Sequence, residues 1–207
     1  MLTKARKLEN QIQDKNYIQA AKPKRIVLEA LSYISGNEDE DASNKVSELS
    51  KSDLHMQMNI SEAMQLVLKC CCNGRVHCPR TYKKSLVLGL NLASSQGDQC
   101  LDVFAALARA YLSVAEWDDF AKTVSSTKVF LLSIPREKYP REEAMWLHVI
   151  SWNSGLKFLG DAAKIDQVKD VMQTSICIAE REVLLPARQL DCLKSRFQTM
   201  FPSDNDE

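Results

Sequence analysis

Apolar residues recur along this chain at the spacing of one helix face. Met64, Val67, Leu68 and Cys71 follow the i, i+3, i+4, i+7 rule, and Ile165, Val168, Val171/Met172, Ile176 and Ala179 follow it again. No stretch alternates apolar and polar residues, so the pattern predicts no sheet. End signals agree with helices. Asn59 and Glu62 have capping-box spacing, Gly97 and Gly160 stand where helices end, and Pro140 and Pro186 suit first turns. These marks predict helices over Leu2–Ala20, Pro23–Ile34, Leu54–Cys72, Thr81–Ser95, Asp98–Ala115, Trp117–Ile134, Pro140–Leu159, Ala162–Val183 and Pro186–Met200. Residues 35–53, polar and acidic with few large apolar groups, read as a loop or disordered insert.

Short connections between helices of similar length predict antiparallel neighbours, which build either a bundle or an α-solenoid. The repeat pattern favours the solenoid. From Leu101 the chain fits the tetratricopeptide (TPR) helix-turn-helix unit, with Phe104, Leu107, Ala108 and Tyr111 on the first helix, a turn at 115–118, and Ala121 near the small-residue place of the second. A small residue at Ala108 lets the paired helix approach, and Phe104, Tyr111 and Trp117 fill the space around it. The match is looser elsewhere. Asp14–Lys22 has the turn-aromatic-small pattern that joins two TPR helices, but Pro23 is expected to interrupt the second of them. The unit opening at Glu142 begins about 42 residues after its counterpart, against roughly 34 in a standard TPR. The predicted fold is all-α: a TPR-like α-solenoid of about four antiparallel helix pairs with a C-terminal capping helix. Leu190, Leu193, Phe197 and Met200 of that last helix are expected to cover the end of the stack. The implied organisation is an N-terminal helical pair over 1–34, the acidic insert over 35–53, repeats over 54–200 and an acidic tail over 201–207.

Composition narrows the function. In 207 residues, 27 Lys+Arg balance 27 Asp+Glu, which argues against the strongly basic footprint of a dedicated nucleic-acid binder. Only 6 Gly and 6 Pro fit helices joined by tight turns. No apolar run reaches the roughly 20 residues of a membrane span, and the N-terminus lacks the apolar core of a secretory signal. The expectation is an intracellular protein whose 7 cysteines are mostly reduced thiols.

The cluster Cys70, Cys71, Cys72, His77 and Cys78 offers zinc-type ligands, but the spacing matches no knuckle or finger and the three adjacent thiols diverge around a helix. The simpler reading places Cys71 in the core and the others as small residues at a helix end. A nucleophilic pair, Cys78 with His77 or Cys177 with His148, lacks any sign of an orienting third group or oxyanion site. The chain has no GxGxxG, GxxxxGK[ST] or HExxH motif. The expectation is therefore a non-enzyme without cofactor or metal. The predicted inner positions of the first helices are Ala105, Ala106 and Arg109, then Leu147, His148 and Ser151. One arginine does not form a carboxylate clamp, so an apolar or mixed partner surface is expected instead. Asn153, standing where the better repeat has Tyr111, is expected to hydrogen-bond backbone across the helix pair.

The segment Tyr139–Leu159, YPREEAMWLHVISWNSGLKFL, resembles the C-terminal signature of the meiosis-specific TPR-like scaffold family, the sporulation "Zip-four" proteins and their testis-expressed animal relatives. In that family a Glu-x-x-Trp-Leu segment leads to a Trp-Asn or Phe-Asn pair and then Gly or Ala. Glu143, Trp146, Leu147, Trp152, Asn153 and Gly155 hold these places here. Family members are several times longer, so this chain would correspond to their C-terminal portion. The helix after Gly160 departs from the family pattern with Lys164, Asp166 and Lys169. The resemblance implies a non-enzymatic scaffold in the nucleus, on meiotic chromosomes. It would link recombination factors to chromosome-axis components during crossover formation and synapsis, with no direct nucleic-acid partner and no membrane. A general TPR-like adaptor in a cytosolic or nuclear complex unrelated to meiosis is the alternative. Arg109, His148 and Trp152 are the predicted exposed binding residues, while Phe104, Tyr111, Trp117 and Trp146 are expected to pack.

Ala108→Trp is expected to overfill the first helix pair of this repeat and cost about 1–3 kcal/mol. A thermal melt measures it, and an unchanged midpoint would refute the helical register.

Overall fold

A computed structural model of the chain describes the backbone of residues 15–51, 58–72, 75–136 and 138–202. The predicted helix over Leu2–Ala20 thus lies largely outside the described residues, as do the start of Leu54–Cys72 and most of the acidic tail. Among the described residues there are nine α-helices: α1 (Lys15–Ser35), α2 (Asp39–Lys51), α3 (Ile60–Cys70), α4 (Pro79–Ser95), α5 (Leu101–Leu112), α6 (Trp117–Ser133), α7 (Arg141–Phe158), α8 (Ile165–Arg181) and α9 (Ala187–Met200). The all-α class expected from periodicity is the class observed. One small departure is an antiparallel ladder of two residues per strand, β1 (Cys71–Cys72) with β2 (Arg75–Val76), which ends α3 two residues before the predicted Cys72.

The chain divides into two compact units, residues 1–96 and 97–207. Their boundary lies inside the repeat block expected over 54–200. The boundary falls at Gly97, whose φ of +61° follows the last turn of α4 and suits a residue without Cβ. Gly160, by contrast, has no left-handed backbone.

Two corrections reshape the first unit. The acidic stretch 35–53 is not a loop or disordered insert, because Asp39–Lys51 forms α2. Its apolar face is narrow: Ala42, Val46 and Leu49, at i, i+4 and i+7, are all fully buried. Asp39, Glu40 and Asp41 in the first turn favour the positive end of the helix dipole. Lys45 ties α2 to α1 through Glu29 at 2.9 Å. Secondly, Pro23 does not interrupt a helical pair over 1–34; α1 runs through it as one helix. A mid-helix proline costs about 3 kcal/mol locally. Burial of Ile26, Val27, Ala30 and Ile34 on one face of α1 offsets that cost.

The first unit is accordingly two hairpins, α1/α2 and α3/α4, with α1 also packing on α3 and α2 on α4. Its core joins Ile26, Val46, Leu49, Leu66, Cys70 and Leu88. Asn59 caps α3, accepting from Ser61 N–H at 3.0 Å while Glu62 reaches back to Asn59 N–H at 3.1 Å, as the capping-box spacing predicts. The cap of α4 comes from elsewhere in the chain. Cys78 stands at its N-cap without a capping side chain. Asp39 of α2 supplies the oxygens instead, accepting from Arg80 N–H at 3.1 Å, Thr81 N–H at 2.9 Å and the Thr81 hydroxyl at 2.7 Å.

The second unit repeats the arrangement. Hairpins α5/α6 and α7/α8 are joined by contacts of α5 with α7 and of α6 with α8, and α9 packs on α8. Phe104 of α5 meets Phe130 of α6 with ring centroids 4.1 Å apart, and Trp117 of α6 meets Phe158 of α7 at 4.4 Å. Ala108 and Tyr111 are buried. On α9 only Phe197 is buried, while Leu190, Leu193 and Met200 are half-buried and the opposite face is polar. Pro140 and Pro186 stand at N-caps, one position ahead of the helices they open.

Burial works against ionisation of Asp39, but the Thr81 hydroxyl and the two backbone donors outweigh it and hold the carboxyl below its usual 3.8. Asp39→Ala is expected to cost about 0.5–2 kcal/mol. The contribution is full above the unfolded value and is lost as pH falls through the lower folded one. Chemical denaturation of both proteins at pH 7 and pH 2.5 checks this: the gap should be present at pH 7 and shrink in acid.

Candidate protein-binding surface

Helix α7 has its large and small residues on unexpected sides. Ala144, Leu147, His148, Ser151 and Gly155 form its buried face. Four of these five are small or polar. Met145, Val149, Trp152 and Leu156, at i, i+4, i+7 and i+11, form a separate stripe, with Val149 44% and Leu156 45% exposed and Met145 and Trp152 half-buried. The helix is therefore apolar on both faces, and the bulkier one meets solvent.

The small residues serve a close helix contact. A Cβ on Gly155 would lie 2.3 Å from Met172 Cγ of α8, so only glycine fits without displacing a buried methionine. Beside it, His148 and Ser175 of α8 form a buried polar pair. The Ser175 hydroxyl lies 2.9 Å from both the His148 carbonyl and Nδ1, and Nδ1 lies 3.1 Å from the Ser175 carbonyl. One arrangement satisfies all three: the hydroxyl donates to the His148 carbonyl, and Nδ1–H donates to the Ser175 oxygens. Burial disfavours the imidazolium and pushes His148 below its usual 6.5, against a smaller upward pull from the Ser175 carbonyl.

Arg109 of α5 meets a third side of α7, away from the stripe. Its Nη1 donates to Glu143 at 2.9 Å, and its guanidinium stands 5.1 Å from the Trp146 ring centroid. These contacts link α5 to the third side of α7. With Arg109 side chain 48% exposed, the ion pair is worth about 0–1 kcal/mol and acts mainly to orient the ring.

Of the predicted binding residues, Arg109 is exposed and Trp152 is half-buried within the apolar stripe. His148 is not a surface residue; only 6% exposed, it belongs to the α7/α8 contact. Leu147 and Ser151 are buried with it, as is Ala105 on α5, so the inner face expected from the repeat was rotated by about one residue. Asn153 is exposed rather than bonded across the helix pair. Trp146 is half-buried under Arg109. The stripe residues Met145, Val149 and Leu156 were missed, although their heptad-like spacing is legible.

The cysteine cluster has different surroundings. Cys70 and Cys78 are buried in the first core, Cys71 is half-buried, and His77 is exposed. Burial, helped by Cys78, Cys71 and Asp39 nearby, pushes the Cys70 thiol up to about 12, which suppresses the nucleophilic thiolate. Among the described residues no three His, Cys, Asp or Glu side chains converge as metal ligands, and no helix is long and apolar enough to cross a membrane. His148 faces Ser175 rather than Cys177.

The neutral His148 stabilises the fold fully above about pH 6.5, and this is lost as pH falls from there through the lower folded-state value. Thermal midpoints of the native chain and His148→Gln are expected to converge as pH drops from 7.5 to 5.5; a constant gap would refute the assignment. No protein-family model, curated protein or solved structure matches this chain.

Proposed function

We propose that this chain is a non-enzymatic protein-interaction scaffold built from TPR-like helix pairs, and that α7 carries its principal docking surface. The observation that carries this reading is the α7 stripe of Met145, Val149, Trp152 and Leu156, facing solvent. Val149 and Leu156 leave nearly half of their surface in water, apolar area whose burial against a partner is favourable. Tryptophan and arginine are also enriched among the anchors of protein interfaces. The alternate packing of helices within each unit, first on first and second on second, supports a solenoid type of stacking over a four-helix bundle.

The cellular setting rests on the resemblance of Tyr139–Leu159 to the meiotic TPR-like scaffolds. The residues of that signature form α7: Glu143 and Trp146 meet Arg109, Trp152 stands in the stripe, and Gly155 makes the close contact. On this reading the chain works in the nucleus on meiotic chromosomes, joining recombination factors to chromosome-axis components in crossover formation and synapsis.

Tagged chain expressed in meiotic cells is expected to recover such proteins, and the double variant Val149→Asp/Trp152→Ala to recover them at least tenfold less. Unchanged helicity and melting would show that the variant folds. Equal recovery by the variant would remove α7 as the surface. Association only with cytosolic or non-chromosomal complexes would replace the meiotic role with that of a general adaptor.

A further inference from the structure

The first unit has a docking groove of its own, independent of the reading of α7. Helices α1 and α3 lie side by side, and between them runs an open groove of about 590 Å³ lined by Leu28, Leu31, Ser32, Gln65, Leu68 and Lys69. Leu28 is 57% exposed and Leu68 is 65% exposed. Both leucines turn away from the core that Ile26, Val27, Leu66 and Val67 fill beside them. Along α1 the groove follows Leu28, Leu31, Ser32 and Ser35, one helix face and about 10 Å long.

The lining of this groove carries positive charge alone. No carboxylate lines it, and its one charged lining residue is Lys69. Lys24 stands one turn before Leu28 on the same face of α1, exposed like Lys69. Neither lysine has an ion-pair partner among the described residues. Glu62, on α3 two turns before Lys69, is held by the capping box with Asn59. Glu29 lies on a different side of α1 and is paired with Lys45.

We infer that the α1/α3 groove binds an amphipathic helix of a partner protein that carries leucine-type residues on one face and acidic residues flanking them. A groove between two neighbouring helices accepts the ridge of a third helix. Three helical turns place side chains at i, i+3 or i+4, and i+7 against Leu28, Leu31 and Leu68. Carboxylates at the two sides then meet Lys24 and Lys69, so binding weakens with salt.

A displayed library of random 14-residue peptides, sorted against the full chain, tests this. Each recovered peptide is remeasured by fluorescence polarisation against Leu28→Asp/Leu68→Asp, against Lys24→Glu/Lys69→Glu, and against the α7 variant Val149→Asp/Trp152→Ala. All four substituted groove positions are exposed, and a melting curve checks that each variant folds. The expected peptides carry the leucine-type spacing with Asp or Glu beside it, become helical when bound, and lose at least tenfold in affinity to both groove variants but not to the α7 variant. Recovery of no peptide that depends on Leu28 and Leu68 would overturn the proposal. So would dependent peptides that are basic, or that bind in an extended, proline-containing form.

Discussion

The close contact of α7 with α8 at Gly155 and Met172 is the constraint on which the second unit depends. A Cβ at position 155 would lie 2.3 Å from Met172 Cγ, so α7 can come this close to α8 only with glycine there, and apart from Leu147 the buried face of α7 is made of small or polar groups. Ala144, Ser151 and Gly155 are the small ones, and His148 fits because Ser175 accepts and returns its hydrogen bonds. Once the narrow face is inside, the broad residues of the same helix have to lie elsewhere. Trp146 finds Arg109 of α5, while Met145, Val149, Trp152 and Leu156 are left toward solvent. The packing of the core and the exposure of the proposed surface are therefore two consequences of one seam.

Polar contacts across helices do comparable work in both units. Asp39 lies on α2 yet caps α4, so the second hairpin's first turn is completed only when the first hairpin is in place. In the second unit the Trp117 indole donates to Gln167 of α8 at 2.5 Å, and Gln167 in turn donates to Asp118 at 3.3 Å, linking α6 to α8. At the end of α8, Val183 takes a left-handed backbone with φ of +50°, and Leu184 N–H reaches the Ala179 carbonyl at 2.9 Å. Arg141 of α7 donates to the carbonyls of Glu182 and Val183 at 3.5 and 3.3 Å, which fixes that turn against α7. These bonds orient hairpins more than they bind them, since the buried apolar area supplies most of the stability.

Much of the fold was legible. Helix periodicity located most of the helices from α3 to α9, and the capping box at Asn59 and Glu62 marked the start of α3 within the chain. Two elements escaped. The face of α2 has Val46 and Leu49 as its only large apolar residues, so the local pattern looked like a solvated segment until α1 and α4 stood beside it. Pro23 is a strong local breaker, and its neighbours' burial outweighed it. The site was less legible than the fold, because a helix apolar all round does not say which face is inside. Arg109 is exposed and Trp152 half-buried, whereas His148, expected at the surface, lies in the core, a rotation of about one residue.

By itself the sequence determined the helical class, the hairpin-sized spacing of elements, and the unusual content of α7, with two tryptophans, a glycine and two serines in 18 residues. Tertiary structure decided which side of each helix is buried, that Asp39 caps a helix on another hairpin, and that the chain separates at Gly97. The physical reason is range. Periodicity and caps act within one or two turns and are written in neighbouring residues. The choice between two apolar faces is made by how closely another helix can approach, and that distance is set by a methionine seventeen residues away from the glycine that meets it.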